Sequence, residues 1–278
     1  MTQLYHAIVC NLCGLDEADV VEVDEPPFKV VKCRRCGLVY VNPQPAQQDL
    51  VEHYSNETYY KEWLTVQAKA RISLWHRRLK DIEKYKQKGR LLDIGCGEGM
   101  MLKMARDNGW TVQGTEVSRY ACRYAREQYG LDVLRGNLEE GDFEEGSFDV
   151  VTLWHVLEHL SDPLATLKEA RRLLRSDGVL LVETPNVNNH LLRLIYYLVR
   201  GKKKRLFSAD AREKHLFHFS PVTLERIVQK GGFLVMESLP KPYAVSWPKK
   251  FIQGLGLAVF HLTQINIADT VRIHAKKA

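Results

Sequence analysis

The chain has 278 residues, with 40 Lys and Arg against 34 Asp and Glu, a formal charge of +6, and 45% apolar residues. That length suits one large domain or two, the apolar fraction excludes a disordered chain, and no run reaches the ~18 apolar residues a membrane span needs. The first residues, MTQLYHAIVC, lack the basic start and clean apolar stretch of a secretion signal, so a cytoplasmic protein is expected.

The charge is spread unevenly. Residues 1–50 hold 4 basic and 7 acidic side chains, residues 51–88 hold 9 and 5, residues 89–190 hold 11 and 17, and residues 191–278 hold 16 and 5. The basic excess sits in the last third and peaks at Gly201–Arg205, GKKKR. Such a surface attracts nucleic acid, anionic lipid or a phosphorylated small molecule, or is simply a solvated face.

In chain order, the first feature is a pair of CxxC turns, Cys10/Cys13 and Cys33/Cys36, with nineteen residues between them. This spacing fits a zinc ribbon, in which each turn presents two thiolates and the loop closes a tetrahedral site. Gly14 and Gly37 follow the second cysteine of each turn, where glycine allows backbone amides to point at sulfur. Two disulfides or a dithiol redox pair are the alternatives, and disulfides fit poorly with a chain lacking a secretion signal. A four-thiolate site is closed and therefore structural. The lone Cys96 and Cys122 read as packing residues. Short strands are expected around the Pro26-Pro27 turn.

A helical stretch is expected over Ala46–Lys88, with a break near Ser55-Asn56 and apolar positions that include Leu50, Tyr54, Trp75, Leu79 and Ile82. Tyr54, Tyr59 and Tyr60 are candidates to close over a bound cofactor, though packing is the simpler role. The pattern then changes to strand Arg90–Ile94, a helix ending at Gly109, a strand ending at Glu116 and a helix over Arg119–Tyr129. LDVLRG, FDVVTLW, a helix near Pro163–Leu174 and GVLLVETP follow. Strands alternating with helices predict a parallel sheet with crossover helices.

Between the first strand and helix of this series lies G-x-G-x-G, at Gly95, Gly97 and Gly99. A dinucleotide fingerprint would need Gly or Ala where Met100 stands. Glycines let backbone approach a ligand, and the following helix start offers unpaired amides. Glu116, at the next strand's end, can accept hydrogen bonds from both hydroxyls of a ribose, each contributing roughly 1.5–3 kcal/mol.

Taken together, the chain resembles the class I S-adenosylmethionine-dependent methyltransferases. LLDIGCGEG resembles that family's first motif, GTEVS its acidic second-strand end, RGNLEE the adenine-binding position at Asn137, and FDVVTLWHVLEHLSDP and GVLLVETPN its fourth and fifth strands. KHLFHFSP with LERIVQKGGFLV, and then DTVRIHAKK, look like the later helix, the sixth strand and the antiparallel seventh. The resemblance covers roughly residues 46–278. With CRRCGLVYVNPQP, the start resembles a bacterial subset that carries a zinc-binding module, several of whose members act on sugars or other small molecules.

The fold implied is α/β, a Rossmann-like seven-stranded, mostly parallel sheet with flanking helices, preceded by a small zinc-ribbon module. Residues 1–45 would form the module and 46–88 a helical linker or lid. Residues 89–278 would form the S-adenosylmethionine-binding domain, with basic cap insertions at about 187–214 and 241–268. The cofactor residues implied are Asp93, Gly95, Gly97, Gly99, Glu116, Val117, Asn137, Leu138 and Trp154, with Cys10, Cys13, Cys33 and Cys36 on structural zinc.

Methyl transfer from a sulfonium is an in-line displacement, so nucleophile and methyl must be held aligned. A hydroxyl or acidic-carbon nucleophile also needs a base. The reacting zone lies beyond the carboxyl ends of the fourth and fifth strands, which here supply Trp154, His155, Glu158 and His159, then Glu183, Thr184 and Asn186. His215 and His218 are candidates to join them. Histidine titrates near neutrality, and His155 is the first choice for the base, followed by His159 and His215. Trp154 is a candidate to face the sulfonium. His155-Val-Leu-Glu158-His159 also matches the H-x-x-E-H of some zinc proteases, but its place directly after a nucleotide-sheet strand argues against catalytic zinc.

The function expected is methylation of a small, anionic acceptor such as a sugar, nucleotide-sugar or lipid-linked saccharide, on oxygen or carbon. LLRLIYYLVRGKKKR, within 190–205, is a candidate for peripheral membrane contact, although an ordinary covering helix explains it more simply. The alternative is a ribosomal RNA base methyltransferase with a zinc module. Against nucleic acid stand the acidic cysteine segment and LWHVLEH where an NPP-type amine-binding motif would be expected. A non-catalytic cofactor-binding protein is the third reading, opposed by the intact glycine loop and Glu116.

Overall fold

The computed structural model describes residues 5–24, 26–55, 57, 68–203, 205–241 and 268–278. The chain opens with strands β1 (Tyr5–His6), β2 (Ala18–Val23), β3 (Lys29–Cys33), β4 (Val39–Val41) and β5 (Gln44–Pro45). Two helices follow, α1 (Gln47–Tyr54) and α2 (Ala68–Glu83). Helix α1 ends at Tyr54, next to the break expected near Ser55-Asn56; Tyr59 and Tyr60 lie outside the described residues.

Next come β6 (Arg90–Ile94), α3 (Met100–Asp107), β7 (Thr111–Glu116), α4 (Arg119–Tyr129), β8 (Val133–Arg135), β9 (Phe148–Trp154), α5 (Pro163–Leu173) and β10 (Leu174–Pro185). The last elements are α6 (His190–Arg200), β11 (Phe217–His218), α7 (Pro221–Lys230), β12 (Phe233–Lys241) and β13 (Thr270–Lys277). Single 3-10 turns stand at Leu138–Glu140 and Leu157–His159. The helix starts are written in the sequence. Ser118 and Asp162 accept the amides of Ala121 and Ala165, and Pro163 and Pro221 occupy first-turn positions where a missing N–H costs nothing. Most of the 241–268 insertion lies outside the described residues.

Seven strands form the central sheet in the order β12-β13-β10-β9-β6-β7-β8. Strands β10 to β8 are parallel, and β13 runs antiparallel to both neighbours, as the resemblance implied. Both faces are covered, so the strands are nearly continuous apolar runs. Leu92, Val151 and Leu180 face one core, and their neighbours Leu91, Val150 and Leu181 face the other, following the two-residue pleat. Strand β10 starts four residues before Gly178, because buried Leu174 pairs with Phe148 before a bulge that ends at Val179.

The cysteine-bearing strands form a second sheet, in the order β11-β4-β3-β2. Its edge strand β11 comes from far along the chain, after residue 200. The apolar core is continuous from Val30, Leu38 and Tyr40 of this sheet to Leu216, Phe217 and Phe219 and on to the central sheet.

Candidate functional site

The cofactor side begins where β6 stops. Gly95, Gly97 and Gly99 all take left-handed backbone, with φ of 67°, 56° and 81°, a region that a side chain disfavours. A Cβ at Gly95 would come within 2.5 Å of Val156, and one at Gly99 within 2.6 Å of Leu131. The Glu116 carboxylate accepts the Gly97 amide at 2.9 Å and the Ser118 amide at 2.8 Å, tying the loop to the start of α4. Asp93 lies buried behind the loop and accepts the Thr152 hydroxyl at 2.5 Å. Burial lifts its carboxyl to about 7 against the opposing pull of Thr152 and Arg78.

Gly95, Gly97, Glu116, Val117, Asn137, Leu138 and Trp154 border one cavity of about 310 Å³. Asn137 also donates to Glu140 at 2.6 Å. Cys96 and Cys122 are buried, as expected of packing residues.

The same cavity reaches His155, His159 and His215. Strand β9 ends at Trp154, and His155 takes φ of 57°, the one non-glycine in left-handed backbone among the described residues. Such strain persists where its surroundings enforce it, and here the His155 amide donates to the Glu183 carbonyl at 2.8 Å. The His155 ring lies between two carboxylates, with Nε2 3.1 Å from Glu183 and Nδ1 3.4 Å from Glu158. Burial disfavours the imidazolium, but hydrogen bonding and charge from Glu158 and Glu183 outweigh it and raise the group to about 9.

His159 is in the opposite situation. Its Nδ1 lies 3.0 Å from the Lys214 carbonyl, which can only accept, and the tautomer that satisfies this contact carries its proton on Nδ1 and its lone pair on Nε2. The Tyr54 hydroxyl approaches the same Nδ1 at 2.8 Å. Burial lowers the His159 pKa, with Glu158 opposing and His215 assisting. The His215 ring stands edge-on to it, with centroids 4.7 Å apart. Glu158 is 1% exposed, and its Oε1 lies 3.4 Å from His155 Nδ1 and 4.0 Å from His159 Nε2. Despite its burial, the neighbouring histidines hold this carboxyl below its ordinary value. His218, Thr184 and Asn186 do not border the cavity.

The H-x-x-E-H segment does not place His155 and His159 on one helix face, because a left-handed residue and a 3-10 turn separate them. Two groups among the described residues could hold a metal: Cys10, Cys13, Cys33 and Cys36, and Glu158, His159 and His215, each with ligand atoms within 4.8 Å of one another.

Sequence reasoning missed Arg71 and Arg78, two buried arginines that reach the cavity from α2. Arg71 pairs with Glu98 of the glycine loop, and Arg78 with Glu183. Glu183 also accepts Arg272 Nε at 2.6 Å. The Arg78 and Arg272 guanidinium groups lie 4.6 and 4.9 Å from the Trp154 ring centroid, where the ring quadrupole favours a cation. The available signal was the position of Arg71 and Arg78 in step with Trp75 and Ile82, on the apolar stripe of the helix.

In the cysteine site, Cys10 and Cys36 Sγ are 3.4 Å apart, and Cys13 and Cys33 Sγ 3.5 Å. A disulfide needs ~2.05 Å, whereas thiolates about 2.3 Å from a tetrahedral zinc stand ~3.8 Å apart. The Gly14 and Gly37 amides close the two turns on the Cys10 and Cys33 carbonyls at 2.7 and 3.0 Å. The donor set therefore fits zinc and not two disulfides.

Among known proteins, the methyltransferase-domain family model matches residues 65–238. A ubiquinone biosynthesis O-methyltransferase of Actinobacillus pleuropneumoniae is 33% identical over 35% of this chain, which spans 46%, about half, of that relative. Its counterpart in Neisseria meningitidis serogroup A is 32% identical over 56% of this chain and 68% of the relative. A crystal structure of a methyltransferase from Thermotoga maritima superposes with a TM-score of 0.58 at 22% identity, covering 82% of this chain and all of that one, a likeness of fold. With the family model spanning more than half of the chain, and the glycine loop, Glu116 and the strand order all in place, the chain belongs to the class I S-adenosylmethionine-dependent methyltransferases.

Proposed function

We propose that this methyltransferase acts on a hydroxyl or acidic carbon of a small acceptor, a sugar, nucleotide-sugar or lipid-linked saccharide, with His159 as the base. The observation that carries this reading is the contact of His159 Nδ1 with the Lys214 carbonyl at 3.0 Å. A neutral ring whose Nδ1–H is fixed on the Lys214 carbonyl leaves Nε2 free to take a proton. Glu158 Oε1, 4.0 Å from that nitrogen, stabilises the imidazolium that results. His155, held as a cation between two carboxylates, suits orientation of the acceptor better than proton abstraction. His215 completes the acceptor wall. S-adenosylmethionine supplies the electrophilic methyl; Gly95, Gly97, Glu116, Val117, Asn137 and Leu138 would hold it, with Asp93 and Gly99 supporting the loop. Two relatives, ubiquinone biosynthesis O-methyltransferases, support oxygen as the methylated atom.

The cavity wall bears Glu98, Glu116, Glu139, Glu158 and Glu213 against Arg71 and Arg78. That balance suits a cationic cofactor, so an anionic acceptor group belongs at the rim, where Arg212 and Lys214 flank Glu213. Leu194, Tyr197, Leu198 and Val199 of α6 are exposed beside Arg193 and Arg200, an arrangement that supports contact with an anionic membrane surface carrying a lipid-linked acceptor. Among the described residues no helix is long and apolar enough to cross a membrane. The test is transfer of labelled methyl to nucleotide-sugars, polyprenyl-phosphate sugars and structured RNA at two salt concentrations. Transfer to RNA alone, with a steep salt dependence, would overturn the reading.

The cofactor assignment predicts that Glu116→Gln weakens S-adenosylmethionine binding about 10–100-fold by calorimetry, since a charged acceptor of two amides becomes a neutral amide. Unchanged affinity would remove Glu116 from the site. The cysteine module is proposed to bind one structural zinc through Cys10, Cys13, Cys33 and Cys36. Cys33→Ser is expected to lose that zinc and to lower the melting temperature, with metal content read by mass spectrometry; full retention would refute the ribbon.

A further inference from the structure

Segment 205–218, which carries Glu213, Lys214 and His215, is fastened to the cysteine module at both ends. At its start, the Glu22 carboxylate accepts the Leu206 amide at 3.0 Å and the Phe207 amide at 3.4 Å. Asp24 accepts the Ala209 amide at 2.9 Å and pairs with Arg205. The Phe207 ring packs on Phe28 with centroids 5.6 Å apart. At its end, β11 pairs with β4, with Phe217 opposite Tyr40 and His218 opposite Val39, and the Val41 amide donates to the Leu216 carbonyl at 2.8 Å.

The middle of the segment touches the other half of the acceptor site. The Leu216 amide donates to the Glu158 carbonyl at 2.8 Å, and the Lys214 carbonyl fixes the His159 tautomer. The module also grips the chain just beyond His159. The Asn11 amide group donates to Asp162 at 2.8 Å and accepts the Leu164 amide at 3.0 Å.

We infer that the cysteine module is a positioning element for the acceptor site: it holds His215 against His159 and keeps the proton of His159 on Nδ1. The links are backbone hydrogen bonds, the carboxylates of Glu22 and Asp24, the Asn11 side chain and the Phe28–Phe207 contact, and no residue of the module borders the cavity, so it acts on the site through geometry. The catalytic meaning rests on the proposed function; the positional claim does not.

The test uses the full chain, with metal content measured, and Glu22→Gln/Asp24→Asn, whose residues do not border the cavity. Amide exchange at Leu206, Phe207 and Ala209 should accelerate by about tenfold or more. Affinity for S-adenosylhomocysteine should stay within about twofold, as for distant sites. Ring nitrogen spectra should then show His159 as a mixture of tautomers and the His215 signals displaced. Faster exchange with both ring spectra unchanged would overturn the inference. Loss of S-adenosylhomocysteine binding in parallel would also overturn it, since general unfolding would explain the rest. Asp24→Asn alone is judged by the same measurements if the double variant does not fold. The ring spectra need no acceptor, so a protein that passes this test yet methylates none of the candidates refutes only the acceptor reading.

Discussion

Glu183→Gln is expected to cost about 3–5 kcal/mol of stability, the range for removing one partner from a buried ion pair, and to lower the melting temperature by roughly 10 °C. Glu183 is 1% exposed and meets three cationic groups, Arg78, Arg272 and His155. Those charges hold its carboxyl well below the ordinary range, against the contrary effect of burial. With glutamine the three cations lose their shared carboxylate, while Asp81 still pairs with Arg272 and Glu158 still faces His155. The same change should bring His155 down from about 9 toward its ordinary value of 6.5. The sign of the pH dependence follows. A histidine raised on folding contributes stability fully below pH 6.5 and loses it as pH rises through 9. The wild-type chain should lose this contribution on the alkaline side, and the variant should show a flatter profile there. Denaturant melts at pH 6, 8 and 10 check both statements, and a variant as stable as the parent at pH 6 contradicts them.

What could be read in the sequence was local. Gly95, Gly97 and Gly99 are identified by spacing because their task is backbone conformation, and Glu116 by its place at a strand end. The cysteines announce their site through two short turns. The acceptor half was harder to read because its chemistry is decided by partners far along the chain. His155 looks like a base in isolation, and Glu158 together with Glu183, 28 residues on, turns it into a held cation. The His159 tautomer depends on Lys214, 55 residues on. The pairing of β4 with β11 leaves no mark on either segment, since strands of three and two residues fit many partners. The arginines of α2 were passed over because an amphipathic reading collects apolar positions, whereas Arg71 and Arg78 occupy the apolar face through buried ion pairs.

Charge shows the same division. The mild total of +6 conceals a cavity wall richer in Glu than in Arg. Part of the basic excess of the last third is paired within the chain, Arg272 buried on Glu183 and Asp81, and Arg205 at the surface on Asp24. Arg272 is a structural cation and is not available to a ligand, which weakens the electrostatic case for nucleic acid beyond the bare count.

His159→Gln is expected to lower turnover about 10²–10⁴-fold, the usual worth of a positioned acid–base group, while leaving S-adenosylmethionine affinity nearly unchanged. The glutamine can still donate to the Lys214 carbonyl but cannot accept a proton at the position of Nε2. The parent enzyme should therefore gain activity as pH rises through the His159 pKa, which burial places below 6.5, so the plateau is reached before neutrality. A fall is expected near pH 9, where His155 loses its charge. The variant should lack the acid limb and keep the alkaline one, whereas His155→Gln should do the reverse. Single-turnover rates from pH 5 to 10 separate the two histidines. If His159→Gln retains the acid limb and most of its turnover, the base lies elsewhere, and an acceptor that is already nucleophilic, such as an amine, becomes the better reading.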